Sequence, residues 1–327
     1  MRELGNTDIN ISEIGLGCWP IGGLFYIGDT PDGYGEVDDN ESVKAIRSAI
    51  DNGINFFDTS DVYGTGHSEK ILGEALEGRR NKAVIATKFG YGFNESTRTL
   101  IGEIYSPEYI KRAVDASLKR LKTDYIDIYQ LHVGFIPEEK VPEVFGTCEE
   151  LITDGKIRSF GWSSDVPSAP EALFSYSGAV SMQYECNLLR NNPEIIEATK
   201  KSGLMGLCRS PLGMGLLSGK CEEGKDAGFA SWDVRSQSYE WCSYFKNGRA
   251  DKEMTAKLAV VREIICSDGR SLVEGALGWL IARSPNHVPI PGFRNTKQAL
   301  EHCRAIEKGP LSQQQMIAIE KILADRA

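Results

Sequence analysis

Apolar and polar positions along the chain follow two alternating periods. Short runs rich in β-branched and aromatic residues read as strands near 13–19, 55–60, 83–89, 126–132, 157–164, 179–187, 204–211 and 287–293. Between them, apolar residues recur at spacings of three and four, which predicts helices over 41–52, 68–77, 140–154, 193–202, 251–266, 271–283 and 296–306. The segment after Ser106-Pro107 shows this spacing well, with Ile110, Ala113, Val114, Ser117, Leu118 and Leu121 on one face and proline in the first turn. A further amphipathic helix is expected near 313–326. Gly53, Gly78, Gly155 and Gly203 each stand where a helix must stop before the next strand, a position that favours a left-handed residue.

Eight strands alternating with helices close more naturally into a barrel than they open into a doubly wound sheet. The expected architecture is therefore α/β, a (β/α)₈ TIM barrel formed by 1–327 as one domain. An N-terminal β-hairpin, Met1–Leu4 with Ile9–Ile11 around Gly5-Asn6-Thr7-Asp8, is expected to plug the barrel floor. The region 221–250 breaks the pattern: it lacks periodicity yet holds Trp232, Tyr239, Trp241, Tyr244 and Phe245. A loop of that length and content inside a compact domain is usually functional, so it reads as a lid over the active face; the alternative is an aromatic patch packed on the barrel wall.

Composition narrows the function. The 327 residues carry a net charge of −9, with no broad basic surface for nucleic acid or an anionic membrane. No run approaches the ~18–20 apolar residues of a membrane span, and Met-Arg-Glu-Leu-Gly at the start lacks a signal-peptide core, so a cytoplasmic location is expected. The eight cysteines contain no C-x-x-C pair, and the four histidines form no H-x-H or H-E-x-x-H pair. No metal site or disulfide framework is expected, which also argues against a metal-dependent barrel hydrolase or isomerase.

In a (β/α)₈ barrel the reactive groups sit at the C-terminal ends of the strands. There the chain places Asp58 with Tyr63 shortly after it, then Lys88, His132, Ser163 and Ser164, Gln183, Arg209 and Ser210, and Arg294. A carboxylate and an ammonium on adjacent strands would form a partly buried ion pair, which is weak evidence for stability and so points to function. A neighbouring lysine would lower the tyrosine pKa from ~10 toward use as an acid, and His132 could polarise a carbonyl oxygen for hydride attack. His67, His287 and His302 lack such surroundings. The cations expected after strands seven and eight, Arg209, Lys220 and Arg294, suit the phosphates of a nucleotide. Gly213-Met-Gly-Leu-Leu-Ser218 only approaches the glycine-rich dinucleotide fingerprint, and by itself reads as a loop.

The chain resembles the aldo-keto reductase superfamily over nearly its whole length. The resemblance is carried by Glu13-Ile-Gly-Leu-Gly-Cys-Trp19, Asn55-Phe-Phe-Asp-Thr-Ser-Asp-Val-Tyr-Gly64, Ala86-Thr-Lys-Phe89, Asp124-Tyr-Ile-Asp-Ile-Tyr-Gln-Leu-His132, Gly155-Lys-Ile-Arg158, Ser210-Pro-Leu-Gly213 through Gly219-Lys220, and Ile290-Pro-Gly-Phe-Arg294. It implies that Asp58, Tyr63, Lys88 and His132 form the catalytic tetrad, with Tyr63 as general acid. It implies NADP(H) as cofactor, held by Gly17, Cys18, Trp19 and Asp58, by Ser163, Ser164 and Gln183, and by Arg209, Ser210, Pro211, Leu212, Gly213, Gly215, Lys220 and Arg235. Gly292, Arg294, Gln298, Glu301 and His302 complete the set at the adenosine end.

Two positions depart from the family pattern. Arg209 stands where an aromatic residue usually stacks on the nicotinamide, and Ser163-Ser164 stands for Ser-Asn. Arg209 could stack on the ring, its positive charge disfavouring NADP⁺, or turn outward to grip a phosphate or acidic substrate. The resemblance implies reduction of an aldehyde or ketone, sugars included, or the reverse oxidation. It leaves one alternative from another class, an NADPH-binding regulator like the potassium-channel β subunits. The substrate pocket is expected to use Trp19, Tyr91, Phe93 and the aromatics of 221–250. Substrate identity, direction and oligomeric state are not legible.

Overall fold

The computed structural model describes residues 1–5, 7–221 and 226–324, so Asn6, four residues of the expected lid and the last residues of the expected C-terminal helix lie outside it. Eight parallel strands form one sheet: β1 (Leu16–Gly17), β2 (Phe56–Asp58), β3 (Val84–Phe89), β4 (Ile126–Leu131), β5 (Ile157–Ser163), β6 (Ala179–Glu185), β7 (Met205–Arg209) and β8 (His287–Pro289). Every strand pairs with the next in sequence, as a barrel demands. Closure is made by backbone: Gly15 N donates to Pro289 O at 2.9 Å, Gly17 N donates to Pro291 O at 3.0 Å, and Gly17 bridges Gly292. Gly17 has to be glycine, because a Cβ there would lie 2.8 Å from Ile290 O.

The outer layer comprises α1 (Asp39–Asp51), α2 (His67–Ala75), α3 (Pro107–Leu121), α4 (Val141–Thr153), α5 (Ala169–Leu173), α6 (Pro193–Lys201), α7 (Lys252–Ile265), α8 (Leu272–Arg283), α9 (Thr296–Lys308) and α10 (Gln313–Ala324). Local chemistry sets several of their starts. Asp38, Ser106, Asn192, Asp251 and Asn295 accept a backbone N–H of the first turn, and Ser271 with Glu274 forms a reciprocal capping box. Gly53, Gly78, Gly155 and Gly203 all have positive φ, between 71° and 92°. α5 went unread because five residues are too few to show a helical period.

Inside the barrel, Phe56, Val84, Ala86, Ile128, Leu207 and Val288 pack with Leu4, Ile9 and Ile11 of the N-terminal hairpin, which does close the floor. Arg2 fastens that hairpin by donating from Nη1 to Pro285 O at 2.6 Å and to His287 O at 2.5 Å. A second, larger core fills the space between strands and helices.

The sequence reading overextends the end strands: 13–19 shortens to Leu16–Gly17, and 287–293 to His287–Pro289. Their flanks still run beside each other through the closing hydrogen bonds, but without a continuous ladder. At the other end of the barrel lies a four-stranded sheet that the hydrophobic pattern does not reveal. It is built from Phe25–Ile27, Thr30–Asp32, Tyr91–Asn94 and Thr99–Glu103. The segment 226–250 reaches across to it: Val234 N donates to Gly33 O at 2.9 Å, and the Tyr239 hydroxyl donates to Pro31 O at 3.3 Å.

Candidate active site

β2 and β3 are central strands with every residue buried, so the side chains ending them are delivered in fixed positions. Lys88 Nζ donates to Asp58 Oδ1 at 2.6 Å, to Thr59 O at 2.8 Å and to the Tyr63 hydroxyl at 3.3 Å. The pair is more deeply buried than the sequence suggests, at 0% and 3% side-chain exposure. Its survival there requires compensation on the free carboxylate oxygen. Gln183 Nε2 and Gln130 Nε2 supply it, donating to Asp58 Oδ2 at 2.7 and 3.1 Å. Gln130 was missed by the sequence reading, although a lone amide in a fully buried strand was a usable signal.

Burial is the largest influence on each titrating group. It would lower the Lys88 pKa, but Asp58 and Tyr63 outweigh it and the pKa is raised. The Tyr63 pKa is raised as well, because burial exceeds the opposing pull of Lys88. The expected downward pull of Lys88 is present, but the expectation of a lowered tyrosine pKa is corrected by burial, and the arrangement holds a neutral phenol. The His132 pKa falls well below the usual value through burial, then Lys88 and Arg209, so the imidazole is neutral at pH 7. Its Nδ1 lies 3.2 Å from the Ser60 hydroxyl, and its ring stands edge-on to Tyr63 with centroids 5.9 Å apart.

These groups open onto a cavity of about 1540 Å³. All the residues assigned above to catalysis or cofactor line it except Lys88, which sits behind Tyr63 and Asp58, and Cys18 and Gly213. The Cys18 side chain is fully buried in the outer core, and what it offers the site is a backbone N–H to Asp58 O at 2.8 Å. Ser164 lines the cavity but spends its hydroxyl on Gly134 O, and Gln183 spends its amide on Asp58.

Aromatic side chains form one wall. Trp19 stacks on Tyr63 at 5.9 Å and meets Tyr34 at 5.1 Å and Trp241 at 6.1 Å, while Tyr91 stands edge-on to His132 at 5.7 Å. Phe93, expected here, instead packs under Arg120, 5.8 Å from its guanidinium, because a register shift between Gly92 and Phe93 breaks the alternation that would put it on the same face as Tyr91. Of the expected lid aromatics, Trp241 reaches the cavity, whereas Tyr244 and Phe245 are buried in the core, so both readings of that loop hold for different residues.

Arg209 meets neither expectation unmodified. Its guanidinium pairs with Asp165 and lies 3.9 Å from Glu185, whose other oxygen is 3.1 Å from Arg190. Two cations and two carboxylates balance, so no lone positive charge stands at this wall, and an acidic ligand would have to displace Asp165.

Further along the cavity, Arg235 forms a fork with Asp233 at 2.7 and 2.9 Å and lies 3.7 Å over the Phe229 ring. Arg294 donates to Glu36 O, and Gln298 accepts from Arg294 N at 2.8 Å. Glu301 accepts from the Ser271 hydroxyl at 2.8 Å, and His302 Nε2 lies 3.2 Å from Gly292 O. Gln298, Glu301 and His302 are half-buried or buried, unlike an ordinary solvated helix face.

Burial lowers the His302 pKa to about 4. The unfolded histidine, near 6.5, binds a proton that the folded one refuses, so this group removes stability as pH falls from about 6.5 to 4. His302→Asn should remove that penalty. Urea unfolding of both proteins at pH 7 and pH 5 is expected to show the wild type losing about 2 kcal/mol relative to the variant. An unchanged difference would show that His302 is protonated in the fold.

A closed parallel barrel with a buried Asp–Lys–Tyr chain and a neutral histidine at one end of a long cleft is the arrangement of an oxidoreductase barrel. The chain belongs to the aldo/keto reductase family, whose model matches residues 13–324. It is 31% identical over 322 residues to the uncharacterized oxidoreductase YqkF of Bacillus subtilis, covering 98% of this chain and 95% of that protein. It is 29% identical to the aldo-keto reductase yakc [NADP(+)] of Schizosaccharomyces pombe, covering 94% and 86%. Among solved structures, the glycerol dehydrogenase AKR11B4 of Gluconobacter oxydans superposes with a TM-score of 0.82 at 28% identity, covering 99% and 94%.

Proposed function

We propose that the chain catalyses NADPH-dependent reduction of an aldehyde or ketone, sugar carbonyls included, or the reverse oxidation, with Tyr63 as general acid. The observation that carries this is the chain of contacts from Asp58 through Lys88 to the Tyr63 hydroxyl, at 2.6 and 3.3 Å, with His132 beside it. Asp58 fixes the Lys88 ammonium, and the ammonium steadies the charge left on the Tyr63 oxygen as its proton passes to the substrate oxygen. The neutral His132 ring, with its Nδ1 3.2 Å from the Ser60 hydroxyl, is the second polar group beside that oxygen.

Bound nicotinamide would supply the hydride. The cleft fits a phosphorylated dinucleotide: it runs continuously from Asp58 and Tyr63 to Arg294, Gln298 and Glu301, with Lys220, Arg235 and Lys297 also on its walls. Ser163 and Arg209 would flank the nicotinamide end, Ser210 through Gly215 and Lys220 the phosphates, and Arg294, Gln298 and Glu301 the adenosine end. The name of the fission-yeast relative carries the same cofactor.

Mixing the protein with NADPH and a panel of aldehydes, ketones and sugars, and following the absorbance of reduced nicotinamide, tests the reading. Turnover of a carbonyl supports it; tight NADPH binding without turnover in either direction would return the regulatory-subunit reading, which the reductase and dehydrogenase names of the relatives above do not favour. Arg294→Ala should weaken NADPH by about 1.5–3 kcal/mol, the range for a hydrogen bond to a charged group, and leave NADH nearly unchanged. Fluorescence titration with both cofactors measures this, and equal losses would move the 2′-phosphate away from Arg294.

A further inference from the structure

Three adjacent strands bring together residues that no sequence motif links. Cys186 follows β6, Cys208 lies in β7 and His287 opens β8. Strand alternation puts all three on the outer face of the barrel: Leu207 and Val288 belong to the interior core, whereas Cys186 and Cys208 belong to the core beneath the helices. Two thiol sulfurs and one imidazole nitrogen lie within 4.8 Å of one another. A trigonal ion with bonds of ~2.3 Å to sulfur holds its sulfurs ~4 Å apart, so small side-chain rotations suffice to close the set.

The histidine supplies the second, independent observation. His287 is 1% exposed, and neither of its ring nitrogens completes a hydrogen bond of good geometry, with no more than a poorly aligned contact to the Leu280 backbone. Burying such a group without a well-aligned partner carries a desolvation cost, and folds rarely retain that cost without a use. Cys208 makes a long contact, 3.8 Å to Gly206 O, and its thiol lies against that of Cys186.

We propose that Cys186, Cys208 and His287 form a buried site for a three-coordinate cuprous ion. Two thiolates and an imidazole are soft ligands suited to Cu(I). No fourth histidine, cysteine or carboxylate joins the cluster among the described residues, and burial leaves no open position for water, which disfavours tetrahedral zinc. Binding releases the two thiol protons and leaves the site with one net negative charge. The Arg2 guanidinium, which donates to the His287 carbonyl at 2.5 Å, stands close enough to offset it. The site lies on the other face of β6, β7 and β8 from the catalytic cleft, so an ion there would brace the last strands and the N-terminal hairpin by favouring the folded state.

Titration of the whole protein with Cu(I) against bicinchoninate, without oxygen and with reductant, tests the proposal. Wild type is expected to retain one equivalent and to melt at higher temperature when loaded. His287→Gln and Cys208→Ser should lose the ion at chelator concentrations that leave wild type loaded, while Cys221→Ser/Cys266→Ser, which removes the two partly exposed thiols, should keep it. X-ray absorption on loaded wild type reads the ligands without any variant, and two sulfurs with one imidazole nitrogen are expected. Failure of wild type to retain copper, copper equally retained by His287→Gln, a sulfur-only shell, or Zn(II) held in preference to Cu(I) would each overturn it.

Discussion

Replacing Tyr63 with phenylalanine is expected to lower kcat for carbonyl reduction by about 100-fold or more, the usual contribution of a general acid, while the Kd for NADPH stays nearly unchanged. The substitution deletes one hydroxyl and leaves the ring stacked on Trp19 at 5.9 Å, so the wall of the cleft keeps its shape. Because burial raises the phenol pKa, the wild-type group is protonated throughout the neutral range, and the hydroxyl is a donor before any reaction begins. Steady-state kinetics on one good substrate, paired with fluorescence titration of NADPH, separate the two effects. A variant keeping more than about a tenth of wild-type kcat would transfer the acid role away from Tyr63, with His132 next in reach.

The second large effect is on stability. Lys88→Met leaves the Asp58 carboxylate in a fully buried position with only the amides of Gln130 and Gln183 to hold it. Removing one partner of a buried ion pair costs about 3–5 kcal/mol, and replacing both partners is often far milder. Urea unfolding should therefore show the single variant destabilised by that amount and Asp58→Asn/Lys88→Met recovering part of it. A loss under about 1 kcal/mol for Lys88→Met would mean that the pair is screened by water. Both variants are expected to be inactive, which makes unfolding the informative measurement.

The barrel was legible because its signals are local: buried strands give continuous apolar runs, and glycines mark the helix ends. The mouth was less so. Phe25–Asp32 and Tyr91–Glu103 contain glycine, aspartate and threonine at spacings that mask alternation, and they become strands by pairing with each other across about seventy residues. The same division runs through the site. Asp58, Lys88 and His132 end strands and announce themselves, and Tyr63 follows five residues after Asp58. The carboxylates that neutralise Arg209 come from two other strand ends, Asp165 after β5 and Glu185 on β6, and no spacing connects them to it. Cys186, Cys208 and His287 are hidden for the same reason: the sequence shows eight scattered cysteines, and only the pairing of strands makes neighbours of three residues a hundred positions apart.

The closing seam has a consequence for how the chain reaches its native state. Arg2 is tied to residues 285 and 287, and Gly15 and Gly17 hydrogen-bond to residues 289 and 291. Contacts of such sequence separation repay the entropy of closing their loop only once nearly everything between them is ordered. During synthesis, at roughly 5–20 residues per second, the first strands must wait ten seconds or more for their last partner to emerge. Until then β1 presents an open sheet edge beside the apolar faces of β2 and β3. The newborn chain is thus most vulnerable to association through its N-terminal third, and the seam at Gly17 and Gly292 is where that exposure ends.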